Sequence, residues 1–203
     1  MKGFLKRDYY LLSGNLRFYV LFMAAFALLA VFTDFSVSFF SLYVVIFGMS
    51  SILGLFSYDE FNHWTAYGAA VPAGRTAMVD ARYLLTVLIA AGMAVVQVLL
   101  GLLGGEGNTV PVAAVYSGVF LLYAAIALPV SYYFGGTKAR TVMIVVIGLM
   151  AGGVGVGGSI LSIRGVHGGL RLPPATLLFP LLGIGALALS WRVSLGIMGR
   201  KEL

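Results

Sequence analysis

Between Ser57 and Arg82 the chain gathers Asp59, Glu60, His63, Trp64, Arg75, Asp80 and Arg82. Side chains of these types can ligate a metal, move protons or pair with charges on a partner, and their spacing selects among the three. No His/Asp/Glu cluster has metal-ligand spacing. His63 and His167 are the only histidines, and they fall on opposite sides of the membrane topology derived below. The absence of cysteine rules out disulfides, thiol catalysis and Cys-type zinc sites. A phosphate-binding loop needs G-x-x-x-x-G-K-[ST], and the chain contains no Gly-Lys pair. If the protein works with ATP, another chain must bind it. No catalytic or cofactor site is expected here, and recognition is what these residues can supply.

The elements that hold this segment are set by composition. Of 203 residues, 61% are hydrophobic and 10% charged, against roughly 25% charged in soluble domains. Mean hydropathy is +1.01. The chain reads as one all-α integral membrane domain over 1–203. Six spans are expected at 16–32, 35–56, 83–103, 112–134, 141–163 and 175–191, near the ~20 residues that cross a bilayer. Met1 to Arg17 reads as an amphipathic helix lying in the interface. Leu5, Tyr9, Leu12 and Leu16 fall on one face, and Lys2, Lys6, Ser13 and Arg17 on another. Gly104–Asn108, 135–140 and 164–174 read as loops or turns, and the residues after Trp191 as a basic tail.

With six spans, Lys2, Lys6, Arg7, Arg17, Arg75, Arg82, Lys138, Arg140, Arg192, Arg200 and Lys201 share one side, and only Arg164 and Arg171 lie on the other. Lys and Arg collect on the cytoplasmic side. Both termini and segment 57–82 are therefore expected in the cytoplasm, in a plasma-membrane protein whose +6 net charge belongs to the bilayer surface and not to nucleic acid.

Few ionisable groups fall inside the spans, and Gln97 is the amide well within one. An intramembrane charge usually marks an ion path or proton relay, so its absence argues against a proton-coupled pump, a charge-lined channel and an intramembrane enzyme. The fifth span carries Gly148, Gly152, Gly153 and Gly157 in two G-x-x-x-G spacings, which let helix backbones approach closely. Such packing serves either a static bundle or an interface that shifts during transport. Pro129 and Pro180 fall inside spans four and six, where each can kink its helix.

Ser57-Tyr58-Asp59-Glu60 has the form of a capping box. It predicts a short helix from Ser57 to about Ala70, ended by Pro72 because the residue before proline avoids the helical region. Phe61, Trp64 and Tyr67 form an aromatic stripe on it. Thr76 is expected to cap a second helical stretch that enters the third span. Two roles compete: an anchor whose Trp and Tyr sit at headgroup level, or a knob gripped by a cytoplasmic partner.

The run Tyr58-Asp59-Glu60, Trp64, Tyr67, Pro72, Arg75 and Arg82-Tyr83 resembles the pattern after the second span in small ABC transporter permeases of the type-2 exporter family. Ala73 and Gly74 depart from it, standing where the family pattern has Val and Ser. Pro129, Phe134-Gly135 and Lys138-Ala139-Arg140 resemble the family's mark at the end of the fourth span. The resemblance implies a six-helix permease subunit that pairs with a second permease subunit and docks a separate cytoplasmic ATP-binding subunit on a coupling helix. It implies coupling roles for Asp59, Glu60, Trp64, Tyr67, Pro72 and Arg75, with ATP bound by the partner. The short Arg164–Pro174 loop leaves little room for the larger external elements of many relatives. A non-transporting membrane protein, such as an immunity or scaffold subunit that binds a cytoplasmic partner, fits the same uncharged interior.

Overall fold

Long apolar runs without water to solvate their backbone must close their own hydrogen bonds, and helices do so within one segment. The computed structural model describes residues 3–14, 21, 37–71, 74–103, 109–148 and 178–200. Among them are seven helices and no strand: α1 (3–14), α2 (Val37–Phe61), α3 (Trp64–Ala70), α4 (Gly74–Leu103), α5 (Thr109–Phe134), α6 (136–148) and α7 (Leu178–Arg200). Four stretches are long and apolar enough to cross a membrane: Leu42–Phe61, Gly74–Leu99, Thr109–Phe134 and Leu178–Arg200. The expected first span at 16–32 lies outside the described residues apart from Leu21. So do the Gly104–Asn108 loop, residues 149–163 of the fifth span, the 164–174 loop and the first residues of the second and sixth spans.

Helix α5 is central. It packs most extensively on α7, and also on α4 and α2. Phe120, Tyr123, Ala124, Ala127 and Leu128 are fully buried along it. Gly118 and Gly183 bring α5 and α7 together. A Cβ at Gly118 would lie 2.9 Å from the Phe179 carbonyl carbon, and one at Gly183 would lie 2.7 Å from Leu121 Cβ. Small residues thus set this crossing, as in other membrane helix pairs. Gly148, by contrast, is exposed and a Cβ there would meet nothing within 4 Å. Gly152, Gly153 and Gly157 lie outside the described residues.

Several sequence expectations are corrected. The polar segment is not a loop with its own capping box. α2 runs through Ser57 to Phe61, and the Ser57 hydroxyl donates back to the Leu53 carbonyl at 3.1 Å, four residues earlier. A serine inside a continuous helix finds this acceptor before any free amide. The break falls later, at Asn62-His63, where His63 takes a left-handed conformation with φ 50°. α3 then ends at Ala70, with Val71 extended at ψ 137° ahead of Pro72, as the proline rule requires. α4 starts at Gly74, before Thr76, and carries Arg75, Asp80 and Arg82 into the third span as one helix.

The turn expected over 135–140 shrinks to one residue. Gly135 adopts φ +85°, its amide donates to the Ser131 carbonyl at 3.0 Å, and α6 begins at once. This is the left-handed cap that glycine supplies without a Cβ penalty. The basic tail is also helical. α7 continues past Trp191 to Arg200 because Ser194 and Met198 are buried against the bundle. Pro180 is the third described residue of α7, and Pro129 lies within an unbroken α5.

Candidate functional site

Helix α1 is amphipathic, but its polar face holds more than surface lysines. Arg7 and Asp8 point into the end of the bundle where α2 stops and α4 starts. There Arg7 bonds to Asp59 through Nη2 and lies 3.4 Å from Asp8 through Nη1. Arg82 donates Nε to Asp8 at 3.0 Å and Nη2 to Asp59 at 2.8 Å. Two guanidinium groups and two carboxylates thus alternate in a closed network. Asp8, Asp59 and Arg82 are only 3–4% exposed. Burial pushes the Asp8 carboxyl up, and the charge of Arg82 opposes that shift.

Aromatic faces complete the packing. The Arg7 guanidinium carbon lies 4.2 Å from the Trp64 ring centre, and that of Arg82 lies 4.5 Å from Phe56. Phe56 in turn meets Tyr132 edge-on at 4.9 Å. Desolvated cation–aromatic contacts of this kind contribute up to about 2 kcal/mol. The network therefore joins α1, α2, α3, α4 and α5 at one end of the bundle.

Helix α6 is tied to the same end. Glu60 Oε2 accepts from the Thr137 amide at 2.7 Å and from its hydroxyl at 2.9 Å. An acid at the first turn of a helix answers both the unpaired amides and the positive end of the dipole. The carboxylate expected to cap its own helix caps a different one. Beneath it, Gly136 packs on the α2 backbone; a Cβ there would stand 2.6 Å from Phe56 C and from Ser57 N.

A third set of bonds joins α4 to α7. Trp191 Nε1 donates to Asp80 at 2.8 Å. The Tyr83 hydroxyl lies 2.7 Å from both Ser190 and Ser194 hydroxyls, and Arg75 reaches the Gly199 carbonyl at 3.4 Å. The Ser190/Ser194 pair, four residues apart, puts both hydroxyls on one helix face. That spacing is the signal that would have revealed this contact in the sequence. Asp8, the lone acid in the first 17 residues, is the corresponding signal for α1.

The sequence-selected residues separate into two groups. Asp59 and Trp64 are turned into the chain by Arg7 and Arg82. Phe61 and Tyr67 face outward, Phe61 being 83% and Tyr67 70% exposed, so the aromatic stripe is split by the His63 break, and Glu60 is turned to Thr137. Arg75 is partly buried on α4, and Pro72 lies outside the described residues. Gly74, one of the two departures from the expected pattern, has a local reason: a Cβ there would run into the Gly68 carbonyl, so glycine lets α4 start against α3. Among the described residues no group of three or more His, Asp or Glu could hold a metal.

The family model described as ABC-2 family transporter protein matches residues 3–199. Neither the curated proteins nor the solved structures provide a match.

Proposed function

Because the chain belongs to the ABC-2 family of transporter membrane proteins, we propose that it is the permease subunit of an ATP-driven exporter, coupled to a separate ATP-binding subunit through α3 and its flanks. A membrane component of an ABC system is not itself the ATPase, and the chain's lack of a Gly-Lys pair accords with that division of labour. The observation that carries the coupling role is the arrangement at the α2–α3 junction. Phe61 at the end of α2 and Tyr67 on α3 project outward from a corner that Asp59 on α2 and Trp64 on α3 clamp to α1 and α4. An exposed aromatic pair on a rigidly held element is what a partner can push against without the element yielding.

In this reading Tyr67 and Phe61 meet the ATP-binding subunit, Glu60 ties α6 to the same end through Thr137, Asp59 and Trp64 hold α3 in place, and Arg75 links this end to α7. Six spans are the count proposed for the chain, with the sequence reading adding spans at 16–32 and 141–163. Both termini face the cytoplasm of the plasma membrane, and a second permease subunit closes the cargo path. The lysine and arginine asymmetry supports this orientation.

The test is co-expression with an ATP-binding subunit encoded beside it. The wild-type chain should co-purify with that subunit and change its ATP hydrolysis in membranes. Tyr67→Glu and Phe61→Asp should abolish both effects while leaving membrane insertion normal. Retention of complex and hydrolysis in both variants refutes α3 as the docking element. ATP-dependent efflux from reconstituted vesicles separates an exporter from a non-transporting scaffold.

A further inference from the structure

At the clamped end of the bundle, α1, α2, α3, α4 and the α5–α6 junction enclose a half-open cavity of about 300 Å³. One water occupies roughly 30 Å³ of liquid, and small-molecule pockets begin near 300 Å³, so the space is that of a small ligand group. Three of its lining residues carry buried polar atoms with no hydrogen-bond partner among the described residues: Arg82 Nη1, Trp64 Nε1 and Ser131 Oγ. Arg82 and Ser131 are 3% and 2% exposed. Buried donors without acceptors cost roughly 1–3 kcal/mol each, and these three belong to residues that line one cavity.

The two nitrogens only donate, so the ligand must present acceptor oxygens. With Nε and Nη2 of Arg82 held by Asp8 and Asp59, Nη1 is left to make one charge-assisted bond to a phosphate oxygen. The surrounding charge restricts the carrier. Arg7 and Arg82 are already balanced by Asp8 and Asp59, so a bare anion would enter without a net positive field to receive it. Glu60 lines the same cavity and brings its negative charge there while its Oε2 accepts from Thr137. A zwitterion meets both demands, its phosphate on Arg82 and Trp64 and its ammonium toward Glu60. The wall formed by the amphipathic α1 sets the cavity at headgroup level.

We infer that this cavity binds the headgroup of a zwitterionic aminophospholipid, its phosphate oxygens accepting from Arg82 Nη1 and Trp64 Nε1 with Ser131 adding a third bond, and its ammonium facing Glu60. The site goes beyond the exporter reading and does not depend on it, because lipid retention is measured without ATP or cargo.

The experiment is native mass spectrometry of the purified full chain from micelles. The micelles contain equimolar phosphatidylethanolamine, phosphatidylcholine and phosphatidylglycerol of distinct acyl mass. One phosphatidylethanolamine per chain should be retained in preference to the other two. Trp64→Phe keeps the ring on Arg7 but removes the donor, and should weaken retention roughly tenfold, the size of one charge-assisted bond. Glu60→Gln should remove the preference for phosphatidylethanolamine over phosphatidylcholine. Ser131→Ala provides a milder second variant, expected to weaken retention several-fold with unchanged thermal unfolding. Equal retention of all three lipids, or retention unaffected by Trp64→Phe and Ser131→Ala, overturns the assignment and leaves ordinary annular lipid. Displacement of the lipid by inorganic phosphate alone also overturns it, in favour of a free-anion site. No retained lipid at all overturns it in favour of a water-filled cavity.

Discussion

Replacing Arg82 with methionine tests whether the four-residue charge network holds the bundle end together. Methionine keeps much of the stem and its contact with Phe56 but removes the bonds at 3.0 Å to Asp8 and 2.8 Å to Asp59. It leaves two carboxylates facing one guanidinium, with Asp8 and Asp59 both almost wholly buried. Two charge-assisted bonds at about 1.5–3 kcal/mol each suggest a gross loss of about 3–6 kcal/mol. Breaking a buried pair by removing one partner costs about 3–5 kcal/mol. The two figures describe the same event, so the expected destabilisation is about 3–5 kcal/mol, with uptake of a proton by one carboxyl pulling it toward the lower value.

The companion substitution is Asp59→Asn. Alone it leaves Arg7 and Arg82 in excess and should also destabilise by a few kcal/mol. Combined with Arg82→Met it restores neutrality, so the double variant should be more stable than the sum of the singles by about 1–3 kcal/mol. The assay is reversible unfolding of the purified chain in mixed micelles, titrated with a denaturing detergent and followed by helical circular dichroism. A single-variant loss below about 1 kcal/mol, or strict additivity in the double variant, refutes the network as a stabilising unit.

Three further outcomes follow from individual contacts. Gly136→Ala would drive a Cβ into the α2 backbone at 2.6 Å and should destabilise by about 1–3 kcal/mol; Gly148→Ala, with open space around it, should be neutral or stabilise by up to about 1 kcal/mol, and equal effects at the two sites in the same unfolding assay would contradict the packing. Gln97 is buried with neither amide atom partnered among the described residues, so Gln97→Leu should be neutral or stabilise by about 1–3 kcal/mol; a clear loss of stability would mean that the amide is engaged. Ser57→Ala should change stability by less than about 0.5 kcal/mol, because its hydroxyl bonds within α2 and not at a helix start, whereas a helix-capping serine would lose about 0.5–2 kcal/mol.

What the sequence made legible followed from patterns that a single segment carries. Apolar length located the helices that became α2, α4, α5 and α7, and the proline rule ended α3 at Ala70. Boundaries failed where a local signal had a competing tertiary or intrahelical solution. Ser57 could cap a new helix or bond to Leu53, and the apolar continuity of α2 through Phe56 favoured the latter. Ser194 and Met198 kept α7 going beyond Trp191, although the approaching Arg192 and Arg200 read as a tail. The site was half legible. The residues of segment 57–82 stood out by polarity, but the partners that fix Asp59 and Arg82 come from α1, 52 and 74 residues away along the chain. No periodicity within either segment encodes such a meeting. Similarly, nothing adjacent to Glu60 announces that Thr137 will take its carboxylate.

The same sequence separations have a consequence for biogenesis. Asp8 emerges from the ribosome long before Arg82. At about 5–20 residues per second, the 74 residues between them take roughly 4–15 s to synthesise. Asp59 arrives 23 residues ahead of Arg82, but Asp8 must remain hydrated at the membrane surface throughout the interval, since its partner Arg82 is delivered last. The amino-terminal helix can lock only when the start of α4 arrives. Its final seat is therefore a late event of insertion, and a nascent chain halted before Arg82 should leave position 8 open to water-soluble probes that the finished protein, with Asp8 3% exposed, excludes.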